Sequence, residues 1–288
     1  FTINGIGLVA NMILDPLFIF VFDWKTDGAA LATWLAQACV FGLFVYQLKF
    51  KKILWEDFRF LGKLKSIYTK KIIKIGLPVA TLNTLFAFVN MFLGRTASTV
   101  GGHIGLMAMT TSGQIEAITW NTSQGFSTAL SAFVAQNYAA RKISRVMKAL
   151  KSTLYMTLVF GTLCSLLFIF YGNNVFAIFV PEKEAYEAGG LALRIDGYSQ
   201  LFMMLEIVIQ GVFYGMGRTI PPAIISISCN YLRIPMAMLF VSFGWGLPGI
   251  WWTICITSII KGIIILIWFL TIKKKTLDKL AKQEIETY

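Results

Sequence analysis

The composition of this 288-residue chain excludes an ordinary soluble fold. Hydrophobic residues make up 57% of it and charged residues only 14%, and the mean hydropathy is +0.69. Soluble globular proteins contain about 45–50% apolar and about 25% charged residues. The formal net charge of +12 is compatible with nucleic-acid binding, contact with anionic lipid, or loops that face the cytoplasm. The positions of the charges along the chain decide among these three.

Cysteine and histidine usage argues against metal chemistry. The four cysteines show no C-x-x-C spacing and lie in apolar runs, and His103 is the single histidine. We therefore expect no disulfide framework, no zinc site and no histidine-based catalysis. The sequence also lacks a Gly-rich phosphate loop, a nucleophile elbow and an acid-rich metal motif, which argues against ATP-driven pumping.

Eight stretches are long and apolar enough to be membrane-spanning helices. A helix needs about 20 apolar residues to cross a hydrocarbon core about 30 Å thick. The fourth and sixth stretches are rich in Ser, Thr, Gln and Gly, which favours helices that face protein or water. The predicted spans are, in chain order, 3–22, 28–48, 75–99, 107–137, 150–171, 188–215, 220–243 and 248–272. The predicted fold is thus an all-α polytopic membrane protein.

Basic residues collect on one side of the predicted spans. Nine lie in segment 49–74, five lie between residues 141 and 151, and five lie in the tail 273–288, whereas the loops on the other side are mainly acidic. Short cytoplasmic loops are enriched in Lys and Arg. The distribution predicts a multi-pass protein of the cell (inner or plasma) membrane with both ends of this chain in the cytoplasm. It also removes the main support for nucleic-acid binding.

A short element occurs twice in the sequence. Asn11 to Pro16 reads NMILDP and Asn230 to Pro235 reads NYLRIP, and each is followed by an apolar stretch, a short loop and a glycine that opens the next helix. A match this short can arise by chance. If the repeat is real, spans one and two end one repeat, and spans three to eight form a complete six-helix repeat. Repeated helical halves are the usual plan of secondary transporters.

Several motifs resemble those of the multidrug and toxic compound extrusion (MATE) family. They are NMILDPLFIF at 11–20, DGAALAT at 27–33, IGLP at 75–78, AFVAQNYAA at 132–140 and GMGRTIPP at 215–222. The resemblance covers essentially the whole chain in the family's order, and NxxLDP is its most specific part. It implies two six-helix lobes arranged as a V, with cation-coupled export of amphipathic, often cationic, compounds by rocking of the lobes.

The resemblance also implies how the chain is organised. We expect eight helices of a twelve-helix fold, in a chain that lacks the first four helices and starts at Phe1 without an initiator Met. Two departures matter: the missing helices would carry another acidic residue of the cation site, and span three has no acidic residue where some members have one. The expected parts are the last two helices of the N-terminal lobe (1–48), a basic amphipathic cytoplasmic linker (49–74), a complete six-helix C-terminal lobe (75–272) and a basic cytoplasmic tail (273–288).

Asp15 and its neighbours form the strongest candidate site. Asn11 precedes Asp15 by four residues, so both project from one face of a helix, and Thr33 in the next antiparallel span could face them. Pro16 lacks an amide hydrogen and frees the carbonyl of Met12. These oxygens suit Na⁺, or a proton on Asp15. The resemblance assigns Asn11, Asp15 and Thr33 to a cation-coupling site, and the alternative is that Asn11 and Asp15 only hold helices together.

Two further carboxyl groups lie deep in predicted spans. Glu116 lies near Trp120, and Glu206 lies near Met203 and Gln210. Carboxylates beside aromatic and Met side chains suit a lipophilic cation. These five residues are therefore candidates for a substrate cavity or for proton exchange. The alternative is that the two glutamates are neutral and hydrogen-bonded between helices.

Basic side chains inside the predicted spans could form ion pairs with the buried carboxyl groups, which would give those carboxyl groups a structural role. Arg194 or Arg233 could pair with one of the glutamates. We expect a local ion pair between Asp196 and Arg194, which lie two residues apart. For Arg233 and Lys261 we expect a carboxylate partner or a side chain that extends toward the membrane surface.

Together these features predict a secondary active antiporter and not an enzyme. It would export amphipathic, cationic drugs or toxic compounds in exchange for Na⁺ or H⁺, as a monomer in the lipid bilayer and without a cofactor. The alternative is a flippase or exporter of lipid-linked saccharides from the same superfamily, which would need more basic residues in the cavity. A membrane-embedded enzyme would need a clustered acidic or histidine motif at a membrane face, and the sequence has none.

Overall fold

The computed structural model describes residues 2–50 and 66–272, and this part of the chain is helical apart from short turns. A π-helical turn, Leu17–Val21, extends the first helix. Residues 51–65 of the predicted linker and the predicted tail 273–288 lie outside the described residues. The α-helices, numbered in chain order, are α1 (Thr2–Pro16), α2 (Lys25–Phe50), α3 (Ser66–Ala139), α4 (Ile143–Phe179), α5 (Lys183–Gly215), α6 (Ile220–Ser242) and α7 (Gly246–Ile272).

The third and fourth predicted spans are the two halves of α3. Gly102 separates them with φ 58° and ψ −144°, a backbone conformation that glycine adopts far more readily than other residues. We call the half before Gly102 α3a and the half after it α3b. The sequence predicted a loop at 100–106, whereas a single glycine makes the break. Helix α4 has a second, milder irregularity at Tyr171 (φ −118°, ψ 16°).

Five helical segments of the described part are long and apolar enough to cross a membrane. They are Thr2–Val21, Lys25–Gln47, Ile143–Phe179, Ile220–Ser242 and Gly246–Ile272. Helices α3 and α5 are not among them. These two contain the fourth and sixth predicted spans, which the sequence already marked as less apolar. The structure therefore supports a polytopic helical protein, and the number of eight spans stays a prediction.

The chain divides into two compact units, Phe1–Ile72 and Ile73–Tyr288, which we call unit 1 and unit 2. In unit 1, α1 and its π turn pack against α2 as a helical hairpin. Large apolar side chains cover much of the hairpin surface, for example Phe20, which is 79% exposed, and Trp34, which is 65% exposed. Such a surface is unfavourable in water and suits contact with lipid or with other apolar helices.

In unit 2, two clusters of buried apolar side chains hold the helices together. One cluster joins α3b, α4, α5, α6 and α7 and includes Val212 and Phe213. The other joins α3, α5, α6 and α7 and includes Leu93 and Trp251. Helix α5 contributes to both clusters and buries much of its length. It is the central helix of unit 2, which explains how it can carry polar side chains away from lipid.

Gly211 and Gly215 allow α5 to lie very close to α3b. A Cβ atom added at Gly211 would lie 2.5 Å from the backbone oxygen of Ser127, and one added at Gly215 would lie 2.6 Å from that of Ser131. Glycines four residues apart are a common means of close helix packing in membranes. The spacing thus places the polar face of α3b directly against α5.

Gly211→Ala should therefore lower the thermal unfolding temperature of the detergent-solubilised protein. Overpacking a close contact costs about 1–3 kcal/mol, and the atom in the way is backbone, which cannot rotate aside. Gly125→Ala is the matched control on the same helix pair, because a Cβ added at Gly125 meets nothing within 4 Å. Equal unfolding temperatures for the two variants would contradict this close contact.

Candidate functional site

In unit 1, the hairpin brings Asn11, Asp15 and Thr33 together. The Asn11 Nδ2 atom donates to Asp15 Oδ1 at 3.3 Å and lies 3.5 Å from Thr33 Oγ1. Thr33 in turn donates to the backbone oxygen of Ala29 at 3.0 Å. Asn11 and Asp15 are half-buried, whereas Thr33 is exposed. The i, i+4 spacing on α1 and the antiparallel course of α2 thus produce the predicted arrangement.

The backbone around this cluster departs from a regular α-helix. Pro16 ends α1 and the chain continues as the π turn. Proline has no amide hydrogen, so the carbonyl of Met12 loses its helical donor, and π turns occur often at functional sites. A groove of about 260 Å³ lies along the hairpin, and its lining includes Asn4, Asn11 and Thr33.

In unit 2, Glu206 is part of a buried ion pair. Lys261 Nζ on α7 lies 3.2 Å from Glu206 Oε2 on α5. Gln210 Nε2 donates to Glu206 Oε1 at 2.9 Å, and Ser226 Oγ on α6 donates to the same oxygen at 3.2 Å. Tyr214, one turn further along α5, lies 3.5 Å from Gln210 Oε1. Both carboxylate oxygens of Glu206 therefore have donors, supplied by three helices.

Glu116 belongs to another polar contact, which joins α3b to α5. Gln200 Nε2 donates to Glu116 Oε1 at 3.3 Å, and Thr119 Oγ1 lies 3.1 Å from Gln200 Oε1. Gln200 is fully buried, whereas Glu116 is half-buried. Glu116 accepts a single side-chain hydrogen bond here and has no cation within ion-pair distance among the described side chains. Its carboxyl group thus has more capacity for a further ligand than that of Glu206.

A third group of polar side chains surrounds Arg233. Arg233 on α6 is buried, and its guanidinium donates to Thr257 Oγ1 and to Ser258 Oγ on α7, each at 3.0 Å. Asp196 on α5 is also buried, and its Oδ1 atom has no hydrogen-bond partner. Arg233 lies within electrostatic range of Asp196 and of Glu116.

Comparison with known families identifies the chain. The profile of the MatE family matches residues 77–239, which is more than half of the sequence. The chain belongs to the MatE family. With its long apolar helices, this makes the MatE chain a multi-pass membrane protein and confirms the resemblance drawn from the motifs.

Two curated relatives are longer than this chain. The MatE chain is 25% identical over 296 residues to a probable multidrug resistance protein NorM of Thermotoga maritima, covering 99% of this chain and 62% of the relative. It is 24% identical over 268 residues to the multidrug export protein MepA of Staphylococcus aureus (strain MSSA476), covering 89% of this chain and 57% of the relative. The MatE chain thus spans about three-fifths of the length of these relatives.

Solved structures share the fold of the MatE chain. A multidrug resistance MATE family transporter of the MOP superfamily matches in its outward-facing conformation with a TM-score of 0.80 and in its inward-facing conformation with 0.77, at 21% identity in both. These matches cover 98% of the MatE chain and 63% and 64% of the solved chains. A MOP superfamily transporter from Pyrococcus furiosus, described as having a binding pocket of reverse polarity, matches with a TM-score of 0.79. The match covers 96% of the MatE chain and 62% of the solved chain.

The structure of the MatE chain brings some predicted residues together and separates others. Gln210 contacts Glu206 as the sequence suggested, and Lys261 has the expected carboxylate partner. Met203 is buried in an apolar cluster with Met204 and Ile207, and Trp120 is 45% exposed on α3b. Among the described side chains, no hydrogen bond joins Trp120 or Met203 to either glutamate, so their role in a cavity stays a prediction.

The expected ion pair between Asp196 and Arg194 is wrong. Arg194 is exposed and Asp196 is buried, because residues two apart on a helix point in nearly opposite directions. Nor does Arg233 use a carboxylate within ion-pair distance or extend to the surface, since its donors bind two hydroxyl groups on α7. The predicted site residues did not include Gln200, and the sequence pointed to Asp196 only as a partner of Arg194. Asp196 and Gln200 lie four residues apart on the face of α5 that also carries Met203. This spacing could have indicated from the sequence that both side chains point into the same interior.

Proposed function

We propose that this MatE protein is a cation-coupled antiporter that exports amphipathic cationic compounds. The observation that carries the proposal is the cluster of Asn11, Asp15 and Thr33 in unit 1. A carboxyl group inside a membrane helix costs about 2.5–3.5 kcal/mol even on insertion scales, so such groups are functional candidates by default. The names of the two relatives, a probable multidrug resistance protein and a multidrug export protein, agree with this substrate class.

In this proposal the coupling ion, Na⁺ or H⁺, binds at Asp15. The Asp15 carboxylate and the Thr33 hydroxyl are oxygen donors of the kind that hard cations prefer. The Asn11 side chain, whose Nδ2 atom faces Asp15 and Thr33 in the structure, would turn its amide oxygen toward a bound Na⁺. The Asp15 carboxylate alone is enough for a proton. The groove beside Asn11 and Thr33 gives a small ligand access to the cluster.

Glu116 is the better candidate of the two glutamates for contact with a cationic substrate. Glu206 already has Lys261, Gln210 and Ser226 on its two oxygens, and a substrate would have to displace one of them. Glu116 is half-buried, and among the described side chains it accepts a hydrogen bond from Gln200 and forms no ion pair. Gln210, Trp120 and Met203 keep the role of neighbouring walls that the sequence suggested.

The proposal includes the membrane arrangement predicted from the sequence. Eight spans would place both ends of the chain in the cytoplasm, and the excess of basic residues would lie on that side. Residues 1–48 would belong to one lobe and 75–272 to the other, with 49–74 as the linker and 273–288 as the tail. The protein would act as a monomer without a cofactor.

Purified protein in liposomes with imposed gradients tests the proposed antiport. We expect an opposing Na⁺ gradient or pH gradient to drive movement of a fluorescent cationic dye, and dissipation of that gradient by a matching ionophore to stop it. Dye fluorescence gives the rate, and protein-free liposomes are the control. Equal dye movement with and without both gradients, or none with either, would refute cation-coupled export.

A further inference from the structure

Among the side chains that the structure describes, the interior of unit 2 holds more acidic than basic groups. Asp196, Glu206, Arg233 and Lys261 are all less than 9% exposed, and Glu116 is half-buried beside them. Three carboxyl groups thus share two cations. An unpaired charge in such an interior is costly, because burial removes the water that stabilises it. Either one carboxyl group is neutral, or one charge is left uncompensated.

The contacts show which carboxyl groups the two cations serve. Lys261 lies 3.2 Å from Glu206, and this pair accounts for one acid and one base. Arg233 donates its hydrogen bonds to Thr257 and Ser258 and reaches no carboxylate within ion-pair distance. Its charge acts on Glu116 and on Asp196 only through space. One cation therefore remains for two carboxyl groups.

Asp196 is the carboxyl group with the poorest surroundings for a negative charge. It is 4% exposed, and its Oδ1 atom is buried without a hydrogen-bond partner. An ionised carboxylate is acceptor only and needs donors on both oxygens, whereas the neutral acid needs fewer and can itself donate. Glu116, by contrast, accepts a hydrogen bond from Gln200. The two carboxyl groups are also close enough to repel each other when both are ionised.

We propose that Asp196 holds a proton at neutral pH and is a proton-exchange site of unit 2. The titratable and charged groups within electrostatic range of it are Glu116 on α3b, Arg233 on α6 and Cys255 on α7, while Arg194 on its own helix is exposed. The step is simple protonation: the carboxylate takes up one proton, its charge is neutralised, and release reverses this.

A proton suits this position better than a metal ion. No group of three or more His, Cys, Asp or Glu side chains with metal-binding geometry occurs in the described ranges 2–50 and 66–272. A proton needs only one lone pair, and one unpartnered oxygen supplies it.

This site would respond to a cation bound at Glu116. A positive charge there would offset the repulsion between the two carboxyl groups and favour ionised Asp196, so that substrate binding would release the proton. This role in transport rests on the proposed antiport, whereas protonation of Asp196 in the resting protein does not. The two ideas can therefore fail separately.

Infrared spectroscopy of the purified protein in lipid tests the protonation directly and needs no transport. We expect the carbonyl band of a protonated carboxyl group at neutral pH, its loss in Asp196→Asn, and its retention in the two control variants Glu206→Gln and Glu116→Gln. Raising the pH in steps should remove the band. Absence of the band in the unaltered protein at neutral pH, or a band of undiminished intensity in Asp196→Asn, would overturn the proposal.

Thermal unfolding of the same variants gives a second measurement. Asparagine closely matches a neutral Asp in shape and polarity, so Asp196→Asn should unfold at the temperature of the unaltered protein. Glu206→Gln should unfold at a lower temperature, because it leaves Lys261 without its counter-charge. An Asp196→Asn variant that unfolds early or does not fold would show that Arg233 depends on a negative charge at Asp196, and this would also overturn the proposal.

Discussion

Lys261→Met should lower the free energy of unfolding of the protein by about 3–5 kcal/mol, the cost of leaving one partner of a buried ion pair uncompensated. The Lys261 and Glu206 side chains are 10% and 4% exposed, so water cannot replace the lost charge. Gln210 and Ser226 still donate to Glu206 in the variant, but neutral donors do not supply a positive charge. Unfolding followed by tryptophan fluorescence during denaturant titration in detergent gives the value.

Two further variants separate the ion pair from other effects of the substitution. Lys151→Met is the matched control, because Lys151 is exposed on α4 and exposed substitutions usually change stability by less than about 0.5 kcal/mol. The double variant Lys261→Met with Glu206→Gln removes both charges and should recover most of the loss. If Lys261→Met is as stable as Lys151→Met, Lys261 does not compensate Glu206 in the folded protein.

The helices were predictable because their lengths are set by the membrane. Apolar runs of about 20 residues located α2, α6 and α7 to within a few residues, since charged or turn-forming residues flank them. The break in α3 was expected as a loop, but Gly102 alone makes it. Whether a glycine continues a helix or breaks it depends on tertiary packing, which a linear pattern does not contain.

The site in unit 1 was predictable because its geometry is local. Asn11 and Asp15 share a helix face by their spacing, and a short turn sets the following helix antiparallel, so Thr33 had to lie nearby. The pair Lys261–Glu206 joins residues 55 positions apart on two helices. The sequence indicated that each of these residues needs a partner of opposite charge. Which residues pair depends on how α5 and α7 are rotated about their axes, and the sequence does not contain this information.

The short element that occurs twice in the sequence shows the same limit. Asn11 and Asn230 occupy the same place in the two occurrences, and each lies on a helix that contains a proline five residues further on. Asn11 donates to Asp15, whereas the second copy has Ile234 at the corresponding place and the Oδ1 atom of Asn230 has no partner. Two similar stretches of sequence thus carry different chemistry, because the carboxyl group of Asp15 has no counterpart in the second stretch.

Asp15→Asn should reduce gradient-driven dye export to the level of membranes without the protein. Asparagine keeps the size of the side chain and can still contact Asn11, so the hairpin should fold, but it cannot bind a proton or supply a negative charge to a cation. Without differential binding of the ion, the gradient cannot bias the transport cycle. Export is measured by dye fluorescence and normalised to the amount of protein in the membrane.

Asp23→Asn is the matched control for this substitution. Asp23 is exposed in the turn before α2 with φ 54°, a conformation that Asn tolerates as well as Asp does, so export should be unchanged. Asn11→Ala should export dye at a rate between those of Asp15→Asn and Asp23→Asn. Loss of a hydrogen bond to a charged group costs about 1.5–3 kcal/mol, which corresponds to a roughly tenfold to hundredfold lower apparent affinity for the ion. Export by Asp15→Asn at the rate of Asp23→Asn would exclude Asp15 as the coupling residue and leave the acidic groups of unit 2 as the remaining candidates.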